Sequence, residues 1–363
     1  MADKKQFFLF FFLLITISLF LISCSTEEAN LPPKPESSSE TITIPDANGR
    51  HFTQFTLNVH DWVFPERSID SVTRTIEIHE EYQIPVDIYL NDQTFQVYLE
   101  QAPELIERLK TSEYVTINYH IRAPHPAYNG FDNYGLEEMS DQEIYQTILD
   151  IEEHRLDLET GLYLEDEAGG YQLIKDTLGY APIALGFSAT GRTAETMAQV
   201  YKEKGAKLYI VHGRDAILGE TENGLYLRPE HVEIKWYEEV MRYIRDGETP
   251  GEVIQSFIDE GAYTEEEGLF INMKMHENNY YTVGTSFAPA FWEDYENKQG
   301  PLDPPYLIDL PAEIIEMRDN SYTTGMWDWY ETTVQYVAEH DDEYYAISNK
   351  DILEWLGEEV ETS

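Results

Sequence analysis

Four apolar, strand-forming runs in this chain each stop at a histidine: His60, His120, His212 and His276. Only 10 histidines occur in all 363 residues, so four at equivalent positions is more than scatter gives. The first run, Phe55-Thr56-Leu57-Asn58-Val59, ends in His60-Asp61 and passes through Phe64-Pro65-Glu66-Arg67 into a helical pattern. A strand that delivers reactive side chains at its C-terminal end is how α/β proteins build sites, because strand ends are rigid and the following loops vary. Parallel strands in a barrel bring such ends onto one face.

Strands alternate with helices along most of the chain. Strand patterns fall at 55–60, 85–90, 114–119, 181–187, 207–211, 269–275 and, shorter, 344–347. Helical spacing is read at 69–82 behind a Ser68 cap, at 103–110, and from 141 behind the capping box Ser140-Asp141-Gln142-Glu143. Further helices are expected at 193–204 with a stop at Gly205, and at 233–245, 250–260, 325–340 and 349–356. No internal repeat is visible. The expected fold is α/β, an irregular (β/α)7 barrel of the glycoside hydrolase/deacetylase type, spanning 49–363 with helices at its C-terminal end.

The segment before residue 49 reads differently. Lys4-Lys5 precedes a nearly unbroken apolar run over 7–22, and Leu21-Ile22-Ser23-Cys24 follows. This is the form of a bacterial lipoprotein signal peptide over 1–23, with Cys24 the lipidated residue. Cys24 is the single cysteine, so neither an internal disulfide nor a thiolate metal cluster is available. Residues 24–48, with Leu31-Pro32-Pro33-Lys34-Pro35 and Ser37-Ser38-Ser39, read as a flexible tether. The expected location is the bacterial cell envelope, membrane-anchored and facing outside the cytoplasm. With 69 acidic and 24 basic side chains the formal charge is -45, which repels nucleic-acid phosphates and excludes that class of partner.

At the strand ends, Asp61, His120 and His125 are the expected ligands of a divalent metal, zinc first, because neutral imidazoles with a carboxylate suit it. A fourth position would hold a water activated as nucleophile. Arg122, Tyr128 and His212 are the expected substrate-binding groups. His79 and His154 fall in helices and are read as structural.

In this order and context the chain resembles the polysaccharide deacetylase superfamily of carbohydrate esterases. His60-Asp61 stands where that family has an Asp-Asp pair of base and metal ligand. Glu81-Tyr82-Gln83-Ile84-Pro85-Val86 is similar to its step into the second strand. His120 and His125 stand for its paired histidines, one residue wider apart here, and Met275-His276 for its terminal hydrophobic-His pair. The resemblance implies a metal-dependent removal of acetyl groups from a polysaccharide, with His60 as base and His276 as general acid. Gly179-Tyr180-Ala181-Pro182 and 188–192 stand nearest to its substrate-holding motif. Two other readings stay open: a non-catalytic surface lipoprotein that binds glycan, and a glycoside hydrolase using carboxylates such as Asp215 and Glu277.

Overall fold

The computed structural model describes residues 46–360 except 129–130, 133, 212–214, 262–267, 307–309 and 311. In order the chain forms β1 (His51–Val59), α1 (Pro65–Tyr82), β2 (Val86–Leu90), α2 (Asp92–Gln101), α3 (Pro103–Thr111), β3 (Val115–His120) and α4 (Asp141–Glu153). A hairpin of β4 (His154–Leu156) and β5 (Tyr163–Ala168) precedes α5 (Gly170–Leu178), β6 (Ala184–Gly186), α6 (Gly191–Lys204) and β7 (Leu208–Ile210). Then come β8 (Thr221–Glu222), β9 (Leu225–Leu227), β10 (Val232–Lys235), α7 (Trp236–Asp246), α8 (Pro250–Glu260) and β11 (Phe270–His276). The last part holds α9 (Ala288–Phe291), a hairpin of β12 (Trp292–Asp294) and β13 (Gln299–Pro301), α10 (Asn320–Glu339), β14 (Tyr344–Ala346) and α11 (Asn349–Trp355).

The main sheet runs β10-β11-β1-β2-β3-β6-β7-β9-β8, with every pairing parallel except that of β8 with β9. Strands β9 and β10 are successive parts of one extended segment. Its first part pairs with β7, at Leu208↔Tyr226, and its second with β11, at Val232↔Ile271. That segment therefore bridges the two edges of the sheet. Counted once, it joins β11, β1, β2, β3, β6 and β7 in a ring of seven positions, the expected irregular (β/α)7 barrel. The irregularity is this split strand.

The seventh position differs from the one read in sequence. Tyr344–Ala346 does form a strand, but it pairs with the start of β1, at His51↔Tyr344, below the point where β2 takes the same edge. The barrel position belongs to 225–235, part of which was read as helix. Its inward residues are charged: Arg228 is fully buried, and Thr56 Oγ1 and Asn272 Oδ1 accept from its Nη1 at 3.1 and 3.4 Å. A charged strand carrying Pro229 looks like surface loop until the barrel interior is seen to be polar.

That polar interior follows from strand alternation, since neighbouring side chains on a strand face opposite ways. On β1, Phe55, Leu57 and Val59 face outward into the main apolar cluster, under the helices. Gln54, Thr56 and Asn58 face the barrel axis. Thr56 Oγ1 donates to Asn272 Oδ1 at 2.8 Å, and Asp87 accepts from Asn118 Nδ2 at 3.1 Å and from the Asn349 N–H at the start of α11. Hydrogen-bonded groups like these are tolerated in a core, although Asn58 Nδ2, Asn272 Nδ2 and Arg228 Nε are buried with no partner.

Local signals held unevenly. The Ser140 capping box is present, and Gly205 ends α6 at φ +117. Helix α1 starts at Pro65 rather than beyond Ser68. Ser68 lies buried one turn inside, its hydroxyl 2.6 Å from that of Tyr98. His79 is a core residue of α1, its Nδ1 2.9 Å from the Ile84 carbonyl and its Nε2 2.8 Å from the Tyr330 hydroxyl. His154 begins β4 instead of lying within a helix. Among the described residues no helix is long and apolar enough to cross a membrane. Cys24 and the segments 1–23 and 24–45 lie outside the described residues.

Candidate functional site

The parallel register of β1 with β11 sets Asn58 beside His276, so the residue after β1, His60, meets the His276 ring directly. Their ring centroids are 5.0 Å apart at 75°, and the Phe287 ring closes another side of His60 at 5.4 Å. His60 is buried, yet neither Nδ1 nor Nε2 has a hydrogen-bond partner. Burial, with the nearby charges of Arg122, His276, His120 and Lys298, holds its pKa well below the usual imidazole value. At neutral pH His60 is an uncharged base with an open lone pair.

The backbone at this strand end is fixed by Glu277, the residue after His276. Its Oε1 accepts from the His60 N–H at 2.6 Å and from the Asp61 N–H. Glu277 is fully buried and its Oε2 has no partner. Burial, followed by the neighbouring Asp61 charge, raises its pKa to about 8, so it is mainly protonated at neutral pH. Asp215, its possible companion in the hydrolase reading, is exposed.

The three expected metal ligands are not brought together as a donor set. Asp61 is committed on both oxygens: Oδ1 accepts from the Val63 and Phe64 N–H groups at 2.9 and 3.4 Å, and Oδ2 from the Tyr281 hydroxyl at 2.6 Å. His125 is committed on both nitrogens. Its Nδ1 accepts from the Ala127 N–H at 3.1 Å, so its proton lies on Nε2, which donates to Glu152 Oε1 at 3.1 Å. His120 Nδ1 lies 2.8 Å from the Gly186 carbonyl and 2.9 Å from Arg122 Nη1. It can donate to the first or accept from the second, but not both. A Cβ on Gly186 would come 3.0 Å from His120 Nδ1, so a larger residue there would displace the ring. Among the described residues no group of three His, Cys, Asp or Glu side chains is arranged to hold a metal ion. The donors present do not fit the expected zinc site, because both Asp61 oxygens and both His125 nitrogens already serve the fold.

Glu152 is the residue that sequence reasoning missed here. Fully buried at the end of α4, it accepts from the Tyr171 N–H at 2.7 Å, from the Tyr201 hydroxyl and from His125. Burial pushes its pKa up, but these donors outweigh that and hold it below the usual carboxylate value. An acid within the apolar stripe of Ile144, Ile148 and Ile151 was the available signal.

Successive turns carry the loop after β3: the His125 N–H donates to the Arg122 carbonyl, and the Tyr128 N–H to the His125 carbonyl, each at 2.9 Å. Spacing by three sets Arg122 next to Tyr128, with the guanidinium carbon 5.2 Å from the ring centroid. From the β12–β13 hairpin Lys298 reaches the same ring, its Nζ 3.2 Å from the Tyr128 hydroxyl. Burial raises the phenol's pKa, and the two cations outweigh it, leaving it below the usual value. Tyr128 packs on Trp292, itself buried. Trp327 stacks on Tyr280 and Trp329 on Tyr243, so these two are packing residues. His212, the remaining expected substrate group, lies outside the described residues.

No protein-family model matches the chain, and no curated protein matches it. Several solved structures do. A putative polysaccharide deacetylase from Mycobacterium smegmatis is 13% identical over 88% of this chain and 96% of its own, with a TM-score of 0.44. A peptidoglycan deacetylase from Bacillus subtilis is 10% identical over 85% of this chain and 93% of its own, with a TM-score of 0.39. A 4-alpha-glucanotransferase from Thermococcus litoralis is 13% identical over 84% of this chain, with a TM-score of 0.43, and this chain spans 40% of its length. Likeness at this level gives no residue correspondence.

Proposed function

We propose that this protein is a glycan-acting hydrolase that removes acyl groups, acetyl first, by acid–base chemistry at His60 and His276. The observation that carries the reading is the buried, uncharged and unpartnered imidazole of His60 set 5.0 Å from a second imidazole at the strand ends. An orphaned buried polar group costs stability, and such groups persist where function uses them. Asn58 Nδ2 and Glu277 Oε2, in the same two strand-end segments, are also buried without a partner, polar points of the kind a sugar hydroxyl can meet.

In this reading His60 takes a proton from water, and the resulting hydroxide attacks the acyl carbonyl carbon. Negative charge forms on the carbonyl oxygen close to the Arg122 guanidinium. As the bond to the leaving amine or alcohol breaks, His276 supplies its proton, giving a carboxylate and the freed glycan. Glu277 is a positioning residue that fixes the His60 backbone. No step runs through a metal.

The commitment of Asp61 and His125 to protein partners favours a second reading, a barrel that binds glycan without hydrolysing it. Acetate release from acetylated chito- and xylo-oligosaccharides separates the two. The hydrolase reading expects release by the native protein and a loss of at least about 100-fold in His60→Gln, the usual scale for a general base. Binding without release overturns it in favour of the binding barrel. Attachment to the envelope membrane through Cys24 belongs to the same proposal and rests on residues 1–48 of the sequence alone. Radiolabelled fatty acid should enter the native protein and not Cys24→Ala.

A further inference from the structure

The cationic side chains at the barrel mouth stand out against the charge of the whole. The chain carries 69 acidic and 24 basic side chains, yet among the described residues Lys298 makes no ion pair with a carboxylate, and its ammonium has the Tyr128 hydroxyl as its polar contact. Its hairpin offers acids close by, with Glu293, Asp294 and Glu296 all exposed. Instead Asp294 is tied to Asn297, through the Asn297 N–H at 3.2 Å and Nδ2 at 3.0 Å. Lys298 itself sits at φ +51, a left-handed turn position that a lysine adopts at a cost. The turn is thus built so that the ammonium leaves its own acids and points to Tyr128. Arg122 meets the same ring, 92% buried and 2.9 Å from His120 Nδ1.

We infer that Lys298, Arg122 and the Tyr128 hydroxyl form an anion subsite that selects a glycan bearing carboxylate or phosphate groups. This rests on the glycan reading above. A guanidinium, an ammonium and a phenol hydroxyl converging on one ring offer several donors to an anionic oxygen. The same field is felt at the Tyr128 phenol, whose pKa burial raises and these two charges bring below its usual value. The overall negative charge does not cancel this. At physiological ionic strength the screening length is about 8 Å, so charges across the barrel count little beside groups in contact.

The test is calorimetric binding of three probes to the native protein, to Lys298→Met and to Lys298→Arg. The probes are hexagalacturonate, its fully methyl-esterified form, and a phosphorylated mannooligosaccharide. The esterified form keeps the sugar and removes the charge. The inference expects the native protein to bind at least one anionic probe tenfold or more tighter than the neutral one. Lys298→Met should narrow that gap to less than twofold, and Lys298→Arg should keep it. A preference for hexagalacturonate identifies carboxylate as the natural anion, and a preference for the mannooligosaccharide identifies phosphate. Equal binding of charged and neutral probes, or a gap that survives in Lys298→Met, overturns the subsite and leaves the glycan reading standing. Failure to bind any of the three overturns the subsite, while acetate release from acetylated oligosaccharide decides the glycan reading separately.

Discussion

Replacing His125 with alanine separates a structural histidine from a metal ligand. The imidazole links the loop after β3 to the α4 end: Nε2 donates to the buried Glu152 carboxylate and Nδ1 accepts from the Ala127 N–H. Its removal deletes a hydrogen bond to a charged group, worth roughly 1.5–3 kcal/mol, and leaves the Ala127 N–H unpaired at roughly 1 kcal/mol more. Glu152 keeps the Tyr171 N–H and the Tyr201 hydroxyl, so the full penalty of a stripped buried charge does not apply. The expected loss is about 3 kcal/mol. For a barrel of roughly 300 residues the unfolding entropy is about 0.6 kcal/mol/K, which makes that loss a fall of about 5 °C in Tm. The assay is thermal or urea unfolding of native protein and His125→Ala, each with EDTA and with added zinc. The same loss should appear in both media. If zinc stabilises the native protein by several kcal/mol, and His125→Ala costs under about 1 kcal/mol in EDTA, the structural assignment is wrong.

Further outcomes follow from other buried groups. The His79 pKa is lowered to about 4 by burial, against 6.5 unperturbed. The unfolded chain therefore binds a proton that the folded chain refuses between those values, and stability should fall by about 3 kcal/mol as pH drops from 7 to 4, a slope that His79→Gln removes. For Glu277 the sign is opposite: its folded pKa is raised to about 8, so ionisation costs stability as pH climbs from 5 to 8. Glu277→Gln should lose less stability than the native protein over that interval in urea titrations. Gly186→Ala pushes a Cβ to 3.0 Å from His120 Nδ1 and should cost about 1–3 kcal/mol, read from unfolding curves.

Much of the barrel was legible because hydrophobic runs and helix stops are local. The strands that became β1, β2, β3, β6, β7 and β11, the Ser140 capping box and the Gly205 stop all declare themselves within a few residues. The β9–β10 segment did not, because it pairs across a polar interior and so carries Arg228, Glu230, Glu233 and Lys235 where a strand pattern should be apolar. Helix α2 was missed although its Asn91 cap accepts from the Thr94 N–H as such caps do. At the site, sequence placed His60 and His276 correctly at strand ends, and the register of β1 with β11 brought them together. It did not show that the Asp61 oxygens and the His125 nitrogens would be taken up by protein partners. Whether a ring nitrogen or carboxylate oxygen is free depends on partners such as Glu152 and Tyr281, which are 27 and 220 residues away. Lys298 was invisible for the same reason: an Asn-Lys-Gln-Gly turn predicts a hairpin, not what its tip touches.

The most direct test of the central claim is acetate release and zinc content measured on one EDTA-dialysed sample of the native protein and of His60→Gln, with acetylated oligosaccharide as substrate. An acid–base site at His60 and His276 predicts release that persists with no bound zinc and collapses in His60→Gln. Release that vanishes with the zinc and returns when zinc is restored would contradict it.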